Sequence, residues 1–328
     1  RAFNPTFLLE SVEGGERLAR YSFIGFGDTN FAIRLVADGF KQGTQSLSVP
    51  RDQQELLAAL RLALSKAPRP TAPGAGPDFP LAGGLVGYAS YDVVRFFERL
   101  PPFTPDPAGV PDLHYVAPGS LLVFDHLTRG IALLHSGSEA ERQSLRREII
   151  LALRGGVPLP TARGKFSAPV ASMSQSEFLG KVGRTQEYIA AGDVYQLVLS
   201  VRFAGRHDVD PFEAYRALRL INPSPYMYYC ALGDITVVGS SPEALVKLSH
   251  GQAQLRPIAG TRPRSADDVI DREREVDLLA DPKENAEHVM LVDLARNDLG
   301  RVAKAGSVHV APYKSIERYS HVMHMVSG

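Results

Sequence analysis

Glu284, Glu287 and His288 are the residues whose types and spacing first suggest chemistry; they lie in DPKENAEHVMLVDLARND, residues 281–298. Three and four positions apart, they fall on one face of a helix. Two carboxylates beside an imidazole can hold a hard cation such as Mg²⁺, which takes few protein carboxylates and keeps places for water and substrate oxygens. A purely local reading stands beside that one. Asp281 can N-cap the helix, Pro282 suits its first position, Glu284 can close a capping box, and His288 can be a satisfied, half-buried ring. Val289, Leu291, Val292 and Leu294 carry a helical apolar rhythm that would seat the segment.

The elements around it are mixed. DQQELLAALRLALSKA, SQSEFLGKVGRTQEYIAAG and PFEAYRALRLIN have helical periodicity, the second starting near Ser174 or Ser176 and stopping near Gly192. FAIRLVA, SLLVFDH and the stretch that follows Gly192, VYQLVLSVRF, read as strands. YMYYCALGDITVVGSSPEALVKLSHGQAQLRPIAG reads as strands joined by Gly-centred turns. RPIAGTRPR (256–264) reads as a strand running into a turn, where Gly260 lets backbone N–H groups approach an anion and Thr261 adds a hydroxyl. Strands in hairpin succession with helices inserted predict an α+β fold with large, mostly antiparallel twisted sheets and flanking helices. Two Pro/Gly/Ala-rich stretches, 66–80 and 154–174, interrupt the periodicity, and the second divides the chain into halves at residues 1–163 and 164–328.

The whole chain excludes several classes. Its 328 residues carry 36 basic and 36 acidic side chains, and this balance argues against a nucleic-acid or membrane-surface role. There is no dinucleotide fingerprint, no P-loop, no zinc-spaced Cys/His cluster and no apolar run of membrane-spanning length. A single cysteine, Cys230, precludes an internal disulfide and fits a reducing, cytoplasmic setting. The chain opens on Arg1 and closes on HVMHMVSG, a strand or helix stopped mid-course, so it reads as part of a longer protein.

Several motifs occur in a fixed order: FLLES (7–11), ARYSFIG (19–25), GGLVGYASYDVVRFFERLP (83–101), GDVYQLVLS (192–200), NPSPYMYY (222–229), SSPEALVK (240–247), RPIAGTRPR, and the acidic helix. Together they resemble the chorismate-utilising enzymes, and among these the large-subunit family of anthranilate synthases. The resemblance implies Mg²⁺ as cofactor, with Glu287 a direct ligand and Glu284 a second or outer one, gripping the substrate's ring carboxylate. It sets His288 beside the ring and the enolpyruvyl ether, Gly260 and Thr261 on the substrate's ring side, and Glu243 as the general acid for the departing hydroxyl. Ala259 stands where aminodeoxychorismate synthases have a nucleophilic Lys, and Gln196 where isochorismate synthases have a basic Lys. Neither residue can replace a lysine, so amination by ammonia is favoured, with Gln196 hydrogen-bonding the incoming nucleophile. Aminodeoxychorismate synthase and a non-catalytic tryptophan-binding relative are the alternatives.

The same resemblance implies feedback inhibition. Glu10, Ser11 and Arg20 would meet tryptophan's polar end, and Pro225, Tyr226 and Met227 would wall its indole. The first half would then carry the inhibitor motif and the second would be the chorismate-binding half. No Cys–His–Glu glutaminase set is present, so ammonia would come from a glutamine amidotransferase subunit in a hetero-oligomer.

Overall fold

A computed structural model describes residues 3–12, 20–27, 31–36, 39–71, 79–101, 108–156, 164–319 and 321–328. Contacts divide the chain into two compact units, residues 1–155 with 218–328, and residues 156–217, and each is described by itself. The stretch proposed from sequence as the divide, 154–174, lies partly outside the described residues, as does part of 66–80.

The first unit opens with β1 (Phe7–Glu10), β2 (Tyr21–Phe26), β3 (Ala32–Val36), β4 (Gly39–Gln42) and β5 (Gln45–Leu47). Then come α1 (Gln53–Lys66), β6 (Val86–Ala89), β7 (Leu113–Val116), β8 (Ser120–Asp125), β9 (Gly130–His135) and α2 (Glu139–Arg154). The second unit holds β10 (Val170–Ala171), α3 (Gln175–Ala191), β11 (Phe203–Ala204) and most of α4 (Pro211–Ile221). The first unit resumes with β12 (Tyr226–Leu232), β13 (Ile235–Ser241), β14 (Lys247–Ser249), β15 (Gln252–Gln254) and β16 (Ile258–Pro263). It ends with α5 (Asp268–Ala280), α6 (Pro282–Gly300), β17 (Ser315–Arg318) and β18 (Val322–Val326).

The fold is α+β, as the sequence predicts. Every pairing among the described strands is antiparallel, in sheets ordered β13-β12-β1-β2-β8-β9, β5-β4-β3-β7-β6 and β16-β18-β17, with ribbons β10-β11 and β14-β15. Strands from both halves of the sequence share the six-stranded sheet. β1 lies between β2 and β12, so Phe7 and Cys230, far apart in sequence, meet in one apolar cluster with Leu121, Val123 and Leu134.

Local chemistry explains the helices. Ser174 and Glu177 form a complete capping box on α3, and Gly192 ends that helix with a left-handed φ of 80°. Asp281 caps α6 by accepting from the N–H groups of Lys283 and Glu284, with Pro282 in the first turn. The Glu284 half of the expected box is missing: the Asp281 N–H donates to Leu278 O, and the Glu284 carboxylate faces Arg262.

Two expectations need correcting. VYQLVLSV follows α3 as extended chain without a ladder, leaving Tyr195 and Val198 exposed. Strand-forming residues make a strand only where a second backbone supplies partners, and among the described residues none does so here. In α6 the apolar stripe is narrower than its spacing suggests: His288 and Val292 are buried, whereas Val289 and Leu294 are exposed.

The three-stranded sheet positions the candidate site. Ala259, Met323, Met325 and Ile316 share the face packed with Leu278 beneath α5 and α6. The sequence predicts a turn at Gly260, but β16 runs straight through it. A bulge falls between Ala259 and Thr261, and Gly260 has φ +81°. The extra residue flips the alternation, so Ala259 faces the helices while Thr261 takes the opposite face, across from His324.

Candidate active site

On that open face, β18 places His324 between Thr261 of β16 and Glu317 of β17, each directly opposite it in register. His324 Nδ1 lies 3.0 Å from Thr261 Oγ1 and 3.3 Å from the carbonyl oxygen of Gly260. The Tyr319 ring packs edge-on against the imidazole, centroids 5.6 Å apart at 63°. Tyr319 OH donates to Glu317 Oε2 at 2.9 Å, and Glu317 pairs with Arg256. Burial first, then this hydrogen bond to the Glu317 carboxylate, pushes the Tyr319 phenol up to about 12. A cavity of about 420 Å³ opens here, with Asn222, Ser224, Pro225, Ser240, Tyr319 and His324 in its wall.

Glu243 follows Pro242, another wall residue, at the end of β13. Ser241 Oγ donates to the Glu243 carbonyl at 2.9 Å, fixing the turn. The residue is exposed overall, yet protein around its carboxyl raises its pKa, while the Arg256 charge pulls the other way. One arginine therefore acts on both Glu243 and Glu317.

On the sheet's other side, Gly260 touches Glu284. A Cβ at Gly260 would lie 2.9 Å from Leu278 Cδ1 and 3.3 Å from Glu284 Oε2. Arg262 binds Asp277 and Asp281 and reaches Glu284 at 3.7 Å, so one guanidinium anchors the start of α6. Glu284 and Glu287 are both half-buried on this helix. Among the described residues no three His, Cys, Asp or Glu side chains converge as a metal cage. Two carboxylates without thiol or accessible imidazole still suit a hard cation that keeps most of its waters, so the donor chemistry fits Mg²⁺ held by Glu284 and Glu287.

His288 does not join that pair. It is fully buried, its Nε2 2.7 Å from Ser327 Oγ and its Nδ1 buried without a partner. Burial, with help from the Lys314 charge, lowers its pKa and keeps it neutral. The helical spacing that puts His288 beside the glutamates also turns it into the core. Of the two histidines in the cavity wall, His321 and His324, the one seated in the sheet is His324, which sequence reasoning missed. Its signal was the alternation in VMHMV, where two buried methionines force the histidine outward.

The segments predicted to bind an inhibitor are neighbours. Glu10 pairs with Met227 in the β1-β12 ladder, and Val12 N–H donates to Ser224 O at 3.0 Å. Ser11 Oγ and Ser224 Oγ are both buried without partners. Pro225 and Met227 are buried and Tyr226 is partly exposed. Glu10 already pairs with Arg219 at 3.1 Å. Arg20 is turned away, held by Asp125 at 2.9 Å and stacked over Tyr21. Gln196 belongs to the second unit, exposed on the unpaired stretch after α3. Burial pushes the Cys230 thiol up to about 11, which leaves it inert as a nucleophile.

The sequence and the fold match known proteins. The family model for chorismate binding enzymes matches residues 6–328. Anthranilate synthase component 1 of Thermus thermophilus is 44% identical over 98% of this chain and 68% of its own length. The same component from Aquifex aeolicus is 42% identical over 98% of this chain and 66% of its own. The crystal structure of anthranilate synthase component I from Streptococcus pneumoniae superposes with a TM-score of 0.77 at 31% identity, covering 94% of this chain and 69% of that one. The chain belongs to the chorismate-binding enzyme family. It spans about two thirds of the length of these relatives. No helix among the described residues is long and apolar enough to cross a membrane.

Proposed function

We propose that this chain is the aminating component of an anthranilate synthase, converting chorismate and ammonia to anthranilate, pyruvate and water. The observation that carries the reading is the open face of the three-stranded sheet. There His324 and Thr261 line up across the strands, Glu243 feels the charge of the Arg256 that pairs with Glu317, and Glu284 packs against Gly260. In the first step ammonia adds at C2 while the C4 hydroxyl departs, protonated by Glu243. In the second the C2 proton is removed as the enolpyruvyl group leaves, and His324 handles that proton in place of His288. Bound Mg²⁺, held by Glu284 and Glu287, would neutralise the ring carboxylate and polarise the conjugated ring. Gly260 and Thr261 shape the ring side. Ala259, buried on the helix face, offers no amine for a covalent route.

Ammonia would come from a glutamine amidotransferase subunit, and Gln196 would hydrogen-bond it as the incoming nucleophile. Tryptophan would bind where Ser11 and Ser224 leave unpartnered hydroxyls beside Glu10, Pro225, Tyr226 and Met227.

The test supplies the complete natural chain with chorismate, Mg²⁺ and ammonium and follows anthranilate fluorescence. Anthranilate that disappears with a chelator or in Glu287→Ala supports the reading. Chorismate consumed to a non-fluorescent product points to aminodeoxychorismate or isochorismate chemistry. A folded protein that consumes none refutes it.

A further inference from the structure

His324 is held at Nδ1, and the nature of those contacts decides its tautomer. Thr261 Oγ1, 3.0 Å from Nδ1, can donate or accept, whereas the carbonyl oxygen of Gly260, at 3.3 Å, can only accept; a proton on Nδ1 satisfies both contacts and leaves the lone pair on Nε2. One hydrogen-bonded edge does not fix a ring, because it can swing about that edge. The second restraint is Tyr319, whose ring meets the imidazole edge-on. Tyr319 is itself tied at three points. Its hydroxyl donates to Glu317 Oε2, its N–H donates to Val322 O at 2.8 Å, and its carbonyl accepts from Arg264 Nη1 at 2.8 Å. Glu317 in turn is anchored by Arg256. The string Arg256–Glu317–Tyr319–His324 thus ties two residues of the cavity wall, Tyr319 and His324, to an ion pair beside them.

We propose that Tyr319, locked by Glu317 and Arg256, is a positioning residue that fixes the orientation and tautomer of His324. The role belongs to the chorismate chemistry proposed above and deepens it. Tyr319 needs no contact with substrate for this. A side chain that sets the direction of a proton-transfer group acts on turnover more than on binding, because a misaligned group still permits the substrate to enter.

The test uses the full natural chain with ¹⁵N-labelled histidine, His324 being assigned by loss of its signal in His324→Gln. In the wild type, His324 is expected as a single neutral tautomer protonated at Nδ1. Tyr319→Leu should show a mixture of tautomers, with kcat for chorismate lower by about tenfold and KM changed by less than about twofold. Tyr319→Phe keeps the ring but loses its tie to Glu317, and should recover only part of the loss. Glu317→Gln cuts the anchor but spares the ring, and should also broaden the tautomer population, so the inference remains testable if Tyr319→Leu does not fold. A wild type with Nε2 protonated, or an unchanged tautomer in both Tyr319→Leu and Glu317→Gln, overturns it. If the wild type turns over no chorismate, the proposed function falls, while the tautomer measurement still decides this inference on its own.

Discussion

Two histidines and a glutamate carry the residue-scale account. His288 is neutral because it is sealed in the core, so its folded pKa lies below the ordinary 6.5. The unfolded chain therefore takes up a proton that the folded chain refuses. Stability is fully present above pH 6.5 and falls as the pH drops through the window between 6.5 and the lowered folded value. Denaturant midpoints measured on either side of that window should show the loss, and His288→Leu should abolish this component of the pH dependence. The same substitution removes the bond between His288 and Ser327, leaving Ser327 Oγ with the Lys314 N–H alone, and should cost about 1–3 kcal/mol. Glu243 behaves in the opposite sense. Its raised pKa keeps it protonated to higher pH than an ordinary glutamate, so the acid-dependent limb of kcat falls as pH rises through that value. Arg256 pulls that pKa down, so Arg256→Gln should move the limb to higher pH; a shift to lower pH would contradict the assignment.

At the scale of elements, the bulge at Gly260 decides the site. Gly260→Ala forces a side chain into the left-handed region and against Leu278 and Glu284. It should lower stability by about 1–3 kcal/mol and weaken Mg²⁺ binding, read by calorimetry. A variant with unchanged metal affinity would separate Gly260 from the Glu284 side of the site. Asp281→Ala should cost about 1 kcal/mol through the lost cap, and more if Arg262 then pulls Glu284 from its place. Sequence foresaw the Asp281 cap, the start of α3 near Ser174 and the Gly192 stop because these depend on residues within one turn. It read the hairpin of β12 and β13 for the same reason. The bulge escaped it, since a glycine in a strand reads equally as a turn until the partner strand fixes the register. His324 escaped for a related reason: its direction depends on which face of β18 meets the helices, and that is set by Leu278, far away in sequence. The carboxylates of α6 were legible from spacing, but spacing could not show that the next residue, His288, points inward.

At the scale of the molecule, β1 inserted between β2 and β12 brings the inhibitor motifs together in one sheet. Tryptophan should therefore inhibit turnover in the complete protein, and Met227→Ala should weaken that inhibition while leaving ammonium-dependent kcat within about twofold. Equal inhibition of wild type and variant would move the inhibitor elsewhere. The complete chain should use ammonium but not glutamine until an amidotransferase subunit is added. The central claim is that the working imidazole is His324 and not His288, and one comparison tests it most directly: chorismate turnover by His324→Gln and His288→Gln, each normalised to folded protein. The account predicts a loss on the order of a hundredfold in kcat for His324→Gln and a change within a few-fold for His288→Gln. The reverse order would contradict it.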